Sequence, residues 1–262
     1  MMSFCLWSWC YLTKKNETFY DINGTKTTSK TTSFTYDSSN YQPSEQTVSD
    51  GTNTQKVKYW YPSTSGNKSA GLDNLKNKNC LSELTGVDQY RNSKYTGGSR
   101  LDYTINNNLP VVSKFHSIRP DNSTVQQVTV TGYDGYGNIR EYKKMDGTPV
   151  TIIWSYNHQY PVMEIVGSTY ANVKTKASTV TNLESAQDVS YSTLKSVYTS
   201  LKTGLPNAHV TAYLYSPWHS VSRIIAPNGH ETTYTYDNDG RLVQASDPLG
   251  VLQKYQYKYK IQ

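Results

Sequence analysis

The stretch TYTYDNDGRLVQASDPLGVLQKYQY, residues 233–257, decides how the rest of the chain is read. Tyr234 and Tyr236 fall on one side of an extended chain, with Thr233 and Thr235 on the other. Asp237, Asn238, Asp239 and Gly240 then spell a turn. Asp and Asn bond their own backbone, and Gly takes the positive φ that ends the turn. Arg241 to Ser246 reads as a returning strand, and Asp247-Pro248-Leu249-Gly250 as the next turn, with Pro presetting φ. Val251 to Tyr259 reads as a third strand. One hairpin is therefore one unit.

The unit recurs. Tyr213-x-Tyr215, Tyr234-x-Tyr236 and Tyr255-x-Tyr257 are spaced by 21 residues, and Gly229 and Gly250 keep the same interval. Upstream, Tyr133-Asp134-x-x-Gly137 matches Tyr236-Asp237-x-x-Gly240, and Trp154 lies 21 residues after Tyr133 as Tyr257 lies 21 after Tyr236. Tyr20-Asp21-x-x-Gly24 is a further match, and a looser unit runs from Tyr36-Asp37 to Tyr59-x-Tyr61. The pattern predicts an all-β fold of repeated antiparallel hairpins in a curved or spiralling sheet. Tyr213, Tyr234 and Tyr255 are expected to form a ladder on one face. A single hairpin buries too little to stand alone, so neighbouring units must supply its interfaces.

Tyr236 through Leu242, Asp247-Pro248-x-Gly250 and Tyr255-x-Tyr257 resemble the signature of the RHS/YD-repeat family. Tyr133 to Asn138, Asp146-Gly147 and the run Trp154 to Pro161 are similar to a recurrent segment of one bacterial branch. Leu205 to Ala208, leading into Tyr213, resembles its continuation. The likeness covers 128–262 and continues in degenerate form over 16–127. It implies β-ribbons spiralling into hollow shells, on secreted or surface-displayed bacterial proteins, some of which carry a toxin domain. Further repeat units, of this or a longer chain, are the implied partners. A handful of units implies a segment of wall rather than a complete shell. The residues that carry this repeat are Tyr133, Asp134, Gly137, Tyr236, Asp237, Gly240, Arg241, Asp247, Gly250, Tyr255 and Tyr257.

Composition agrees with the hairpin reading. Of 262 residues only 35% are hydrophobic, and 24 of these are Tyr against 4 Phe. Tyr suits half-wet sheet faces, because its ring packs while its hydroxyl finds water or a partner. The net charge of +6 is spread among acids, so no nucleic-acid partner is expected. Lys254, Lys258 and Lys260 alternate with Tyr255, Tyr257 and Tyr259 as a strand with one solvated face does. Residues 1–15 read as a degenerate leader or an arbitrary start point. Phe4 to Leu12 is about half of the roughly 20 residues that span a bilayer, so no membrane span is expected. Three cysteines, Cys5, Cys10 and Cys80, show no metal-ligand spacing.

Departures from the alternation mark insertions. Residues 24–56 are polar, either wet hairpins or partly disordered, and 63–74 reads as a loop. Leu194, Val197, Tyr198 and Leu201 stand at helical spacing. One helix is expected at 190–202, with Gly204 as its stop and Pro206 beyond, and another at 169–177. Both would cap an open sheet face within a helical insertion at about 169–204. Chemistry is sparse. His116, His158, His209, His219 and His230 lack ligand spacing, the turn aspartates cap backbone, and no nucleophile motif appears. No cofactor, metal or catalytic residue is expected. The cluster Trp154, Tyr156, His158, Gln159 and Tyr160 is the one candidate for ligand contact. The leading expectation is a non-catalytic structural or interaction module; the alternative is a glycan-binding or adhesive module using exposed rings as platforms.

Overall fold

A computed structural model describes residues 11–216 and 220–257. Cys5, Cys10, His219, Lys258, Tyr259, Lys260 and most of the 1–15 segment lie outside these residues. The chain divides into two compact units, 1–127 and 128–262.

In the first unit the strands are β1 (Lys14–Tyr20), β2 (Lys26–Tyr36), β3 (Pro43–Ser49), β4 (Thr54–Trp60), β5 (Gly86–Arg91), β6 (Lys94–Asn106) and β7 (Leu109–Ile118). Each pairs antiparallel with its neighbours in sequence. Residues 24–56 are thus ordered hairpins. Between β4 and β5 lies an insertion with a short helix, α1 (Leu72–Asn77), partly inside the stretch expected to be a loop. Its entry needs Gly71, at φ +75°, because a Cβ there would sit 2.0 Å from the Tyr103 carbonyl oxygen.

β8 (Thr124–Tyr133) crosses the boundary between the units. The second unit continues with β9 (Ile139–Lys144), β10 (Pro149–Ser155), β11 (Tyr160–Val166), α2 (Tyr170–Lys176), α3 (Val180–Glu184), α4 (Tyr191–Gly204), β12 (His209–Tyr215), β13 (Val221–Ile225), β14 (Glu231–Tyr236), β15 (Leu242–Asp247) and β16 (Gly250–Lys254). Strand order is again sequential and antiparallel, and in neither unit does the last strand return to the first. Turns fall at 237–240 and 247–250 as the repeat requires. The final strand is shorter than expected: it ends at Lys254, and only the Tyr255 N–H continues the ladder, to the Val243 carbonyl.

The helices cover one sheet face. Register places Ile153, Met163, Ala212, Ile225 and Glu231 in one cross-strand row, and Thr151, Ile165 and Val210 in the next. Paired residues share a face, so these rows form an apolar floor that ends in the charge of Glu231. Val173, Val180, Leu183, Leu194, Val197, Tyr198 and Leu201 pack down on it. Ser190 caps α4 by accepting from the Thr193 N–H, and Thr169 caps α2 likewise from Asn172. Two expectations need correction. A third helix, α3, stands between the two foreseen; five residues show no readable period, and burial of Val180 and Leu183 holds it. Gly204 does not stop α4 in a left-handed conformation. It lies in the last turn, where a Cβ would come within 2.9 Å of Lys176 Cβ, so glycine lets α4 pass close to α2.

Candidate functional site

Each Tyr-Asp turn is built around its carboxylate. Asp237 Oδ1 accepts from the N–H groups of Asp239 (3.0 Å) and Arg241 (2.9 Å). Asp134 does the same with Tyr136 and Asn138, and Asp247 with Leu249 and Gly250. Gly137 and Gly240 close their turns at φ +89° and +76°. The Arg241 N–H, opposed by slight desolvation and helped by the guanidinium, holds Asp237 below the usual carboxylate range. Arg241 also lies 5.1 Å from the Tyr257 ring, so it ties its own turn to the next unit's aromatic.

The aromatic residue of each unit has a definite target. Tyr236 pairs in register with Leu242, and the Tyr257 hydroxyl donates to the Leu242 carbonyl at 2.8 Å. Tyr215 pairs with Val221, and Tyr236 donates to the Val221 carbonyl at 2.7 Å. Trp154 pairs with Pro161, and Tyr215 donates to the Pro161 carbonyl at 2.9 Å. Tyr133 pairs with Ile139, and the Trp154 indole N–H donates to the Ile139 carbonyl at 2.8 Å. In the first unit Tyr36 pairs with Pro43, which accepts from Tyr61 at 2.9 Å. One rule covers all five: a ring donates to the carbonyl opposite the preceding unit's ring. A register shift beside Tyr36, Tyr133, Trp154, Tyr215 and Tyr236 marks a bulge, which re-aims the side chain. Proline serves at 43 and 161 because only its carbonyl is used. Burial pushes the Tyr215 hydroxyl up to about 12.

This seam replaces the expected ladder. Tyr213 aligns through Ile224 with Thr232, two residues short of Tyr234. Strands two apart are also too distant for direct stacking. The contact that recurs between units is a ring's O–H or N–H on a backbone carbonyl.

The cluster at 154–160 is a corner. Tyr156, Asn157 and His158 are all left-handed, at φ +52°, +57° and +63°, a conformation that Asn and His tolerate better than Tyr156 does. Neighbouring segments hold it. His158 Nδ1 lies 3.2 Å from Asp134 Oδ2, Asn138 donates to the His158 carbonyl, and Asn157 N–H reaches the Ala186 carbonyl. The Tyr136 ring stacks on His158 at 4.3 Å. Tyr156, Tyr160 and Tyr215 form a ring trio, and Gln159 N–H closes the turn onto Ser155. Only Tyr136, at 66% exposure, presents an open ring there.

Two polar centres had little or no sequence signal. Glu231 receives Tyr191, Lys195 and Arg223, anchoring α4 to the sheet. Burial raises its pKa, but these donors outweigh burial and leave it lowered. In the first unit Arg100 Nη2 donates to both oxygens of Asp88 at 2.9 and 3.0 Å, and the Trp60 indole N–H donates to Asp88 at 2.8 Å. The one hint was Gly97-Gly98: a Cβ on Gly98 would lie 2.4 Å from the Val87 carbonyl oxygen and 2.7 Å from Asp88 Oδ1. His116 and His230 each face an aspartate, Asp102 and Asp247. Among the described residues no group of three metal-ligating side chains converges, and no helix is long and apolar enough to cross a membrane.

No curated protein matches the chain. Among solved structures, 88% of the chain aligns with 14% of a chain in the TcdB2-TccC3-Cdc42 complex, at 9% identity and a TM-score of 0.31. The Tc holotoxin pore of Photorhabdus luminescens gives 9% identity, the same coverages and a TM-score of 0.29. A porin-like protein from Bacteroides uniformis gives 11% identity over 88% of this chain and 86% of that one, with a TM-score of 0.29. The chain thus spans about one-seventh of the length of the toxin chains it aligns with. The RHS Repeat family model matches residues 208–252, the segment from β12 to β16 in which Tyr215 and Tyr236 take part in the seam; over these residues the chain carries an RHS repeat.

Proposed function

We propose that the chain is a non-catalytic wall segment of a bacterial RHS/YD-repeat protein, secreted or displayed at the surface, whose partners are further repeat units. The observation that carries this reading is the seam: each aromatic donates to the carbonyl opposite its predecessor, so units add by one rule. Functional groups are spent on the fold. The turn carboxylates Asp134, Asp237 and Asp247 serve backbone amides, and Arg241 joins turn to ring. The rings a sugar would stack on at 154–160 pack on one another, with Tyr156 at 7% exposure. Wall is therefore favoured over glycan binding.

The test is to append a second copy of residues 237–257 after Tyr257 and follow amide hydrogen exchange. The expected outcome is protection of the copy and added protection of Val251 to Lys254, which are all exposed in β16. A copy whose amides exchange as in a free peptide would overturn the additive reading.

A further inference from the structure

The first unit contains a cavity of about 290 Å³ that the seam does not use. Trp60, Tyr90 and Tyr95 form its aromatic walls, Asp88 and Arg100 also line it, and Lys68 and Asn122 stand at exposed positions beside them. The size suits a one-ring ligand, at the small end of the range for ligand pockets. The polar groups of Asp88 and Trp60 are engaged with each other and with Arg100. Arg100 is different. Its side chain is 8% exposed, its terminal nitrogens bond Asp88, Val87 and Ser99, and its Nε is buried with no partner in the protein. A buried N–H without an acceptor costs free energy and calls for one.

Charge favours an anion. Asp88 is balanced by Arg100, which leaves the Lys68 ammonium at the cavity, and the Lys58 ammonium sits 4.0 Å from the Trp60 ring centroid. A sugar fits poorly, since several hydroxyls would enter a space in which the Asp88 and Trp60 polar groups are already paired and Arg100 Nε–H alone calls for an acceptor. An aromatic ring would pack on Tyr90 and Tyr95, themselves edge to face at 5.4 Å, with no such cost. We propose that this cavity binds a one-ring aromatic carboxylate, its ring against Tyr90 and Tyr95 and its carboxylate accepting from Lys68 and Arg100 Nε–H.

The probe is 4-hydroxybenzoate titrated into the full chain, followed at the Trp60 indole ¹H–¹⁵N resonance, which W60F identifies. A saturable shift is expected with 4-hydroxybenzoate and none with benzyl alcohol, acetate or glucuronate. Lys68→Ala, at an exposed position and so compatible with folding, is expected to weaken binding about tenfold through loss of a charge-assisted hydrogen bond. No shift at millimolar 4-hydroxybenzoate would overturn the proposal. An equal response to benzyl alcohol would remove the anionic part, and an equal response to glucuronate or acetate the aromatic part. Unchanged affinity in K68A would remove the assignment of the carboxylate.

Discussion

The two units bury different chemistry. Beneath α2, α3 and α4 the second unit is aliphatic: Ile153, Met163, Ile165, Leu183, Leu194, Leu201 and Ile225 are inaccessible to solvent. The first unit buries few such side chains, chiefly Leu75, Val111 and the rings of Trp60, Tyr61 and Tyr103. Around them it buries Thr85, Asp88, Arg100 and Ser69. Ser69 donates to the Thr85 carbonyl, and Thr85 to the Trp60 carbonyl. One unit is held by the amount of apolar surface removed from water, the other by a network in which every partner must stay in place. An aliphatic core tolerates a lost methyl group in proportion to its volume. A buried ion pair fails abruptly when one member goes, because the other is left charged and unpaired.

The sharpest test of that contrast is Asp88→Ala. It strands the Arg100 guanidinium and the Trp60 N–H, and is expected to cost about 3–5 kcal/mol, read by urea unfolding with exchange protection lost across β4 to β6. A cost below about 1 kcal/mol, the range of exposed pairs, would show that the first unit does not depend on its polar knot. Leu194→Ala comes next. It opens a cavity under α4, and a loss of about 2–5 kcal/mol is expected, with protection falling in β10 to β13. A surface-like effect within about 0.5 kcal/mol would mean that the helices are not a core. The smallest effect is expected from Tyr236→Phe, which removes the donor to Val221 and keeps the ring. It should cost about 0.5–1.5 kcal/mol and speed exchange at the β13–β14 junction. No change in either measurement would reduce the seam to coincidence of geometry.

Much of the second unit was legible because its signals are local. Asp237 to Gly240 and Asp247 to Gly250 carry their turn chemistry within four residues. The spacing of Leu194, Val197, Tyr198 and Leu201 announces α4 to within two residues at its C-terminal end. The 21-residue interval from Tyr215 to Tyr236 to Tyr257 was also visible, but its purpose was not. A repeat interval says that equivalent residues recur; it does not say which atom each one reaches. The bulges beside Tyr215 and Tyr236 are invisible in a polar/apolar pattern, as is the register that sets Tyr213 two residues off Tyr234 and rules out the expected ladder.

What the amino-acid order determined by itself was therefore the hairpin unit, its turns and its recurrence, since these depend on residues a few positions apart. The tertiary structure alone decided the partners: Val221 for Tyr236, Glu231 for Lys195, Asp88 for Arg100. Each of these joins residues 12 or more apart. Nothing in the local preferences of Asp88 or Arg100 distinguishes this pair from exposed ones. Strand register brings them together, and the exclusion of water makes the pair matter.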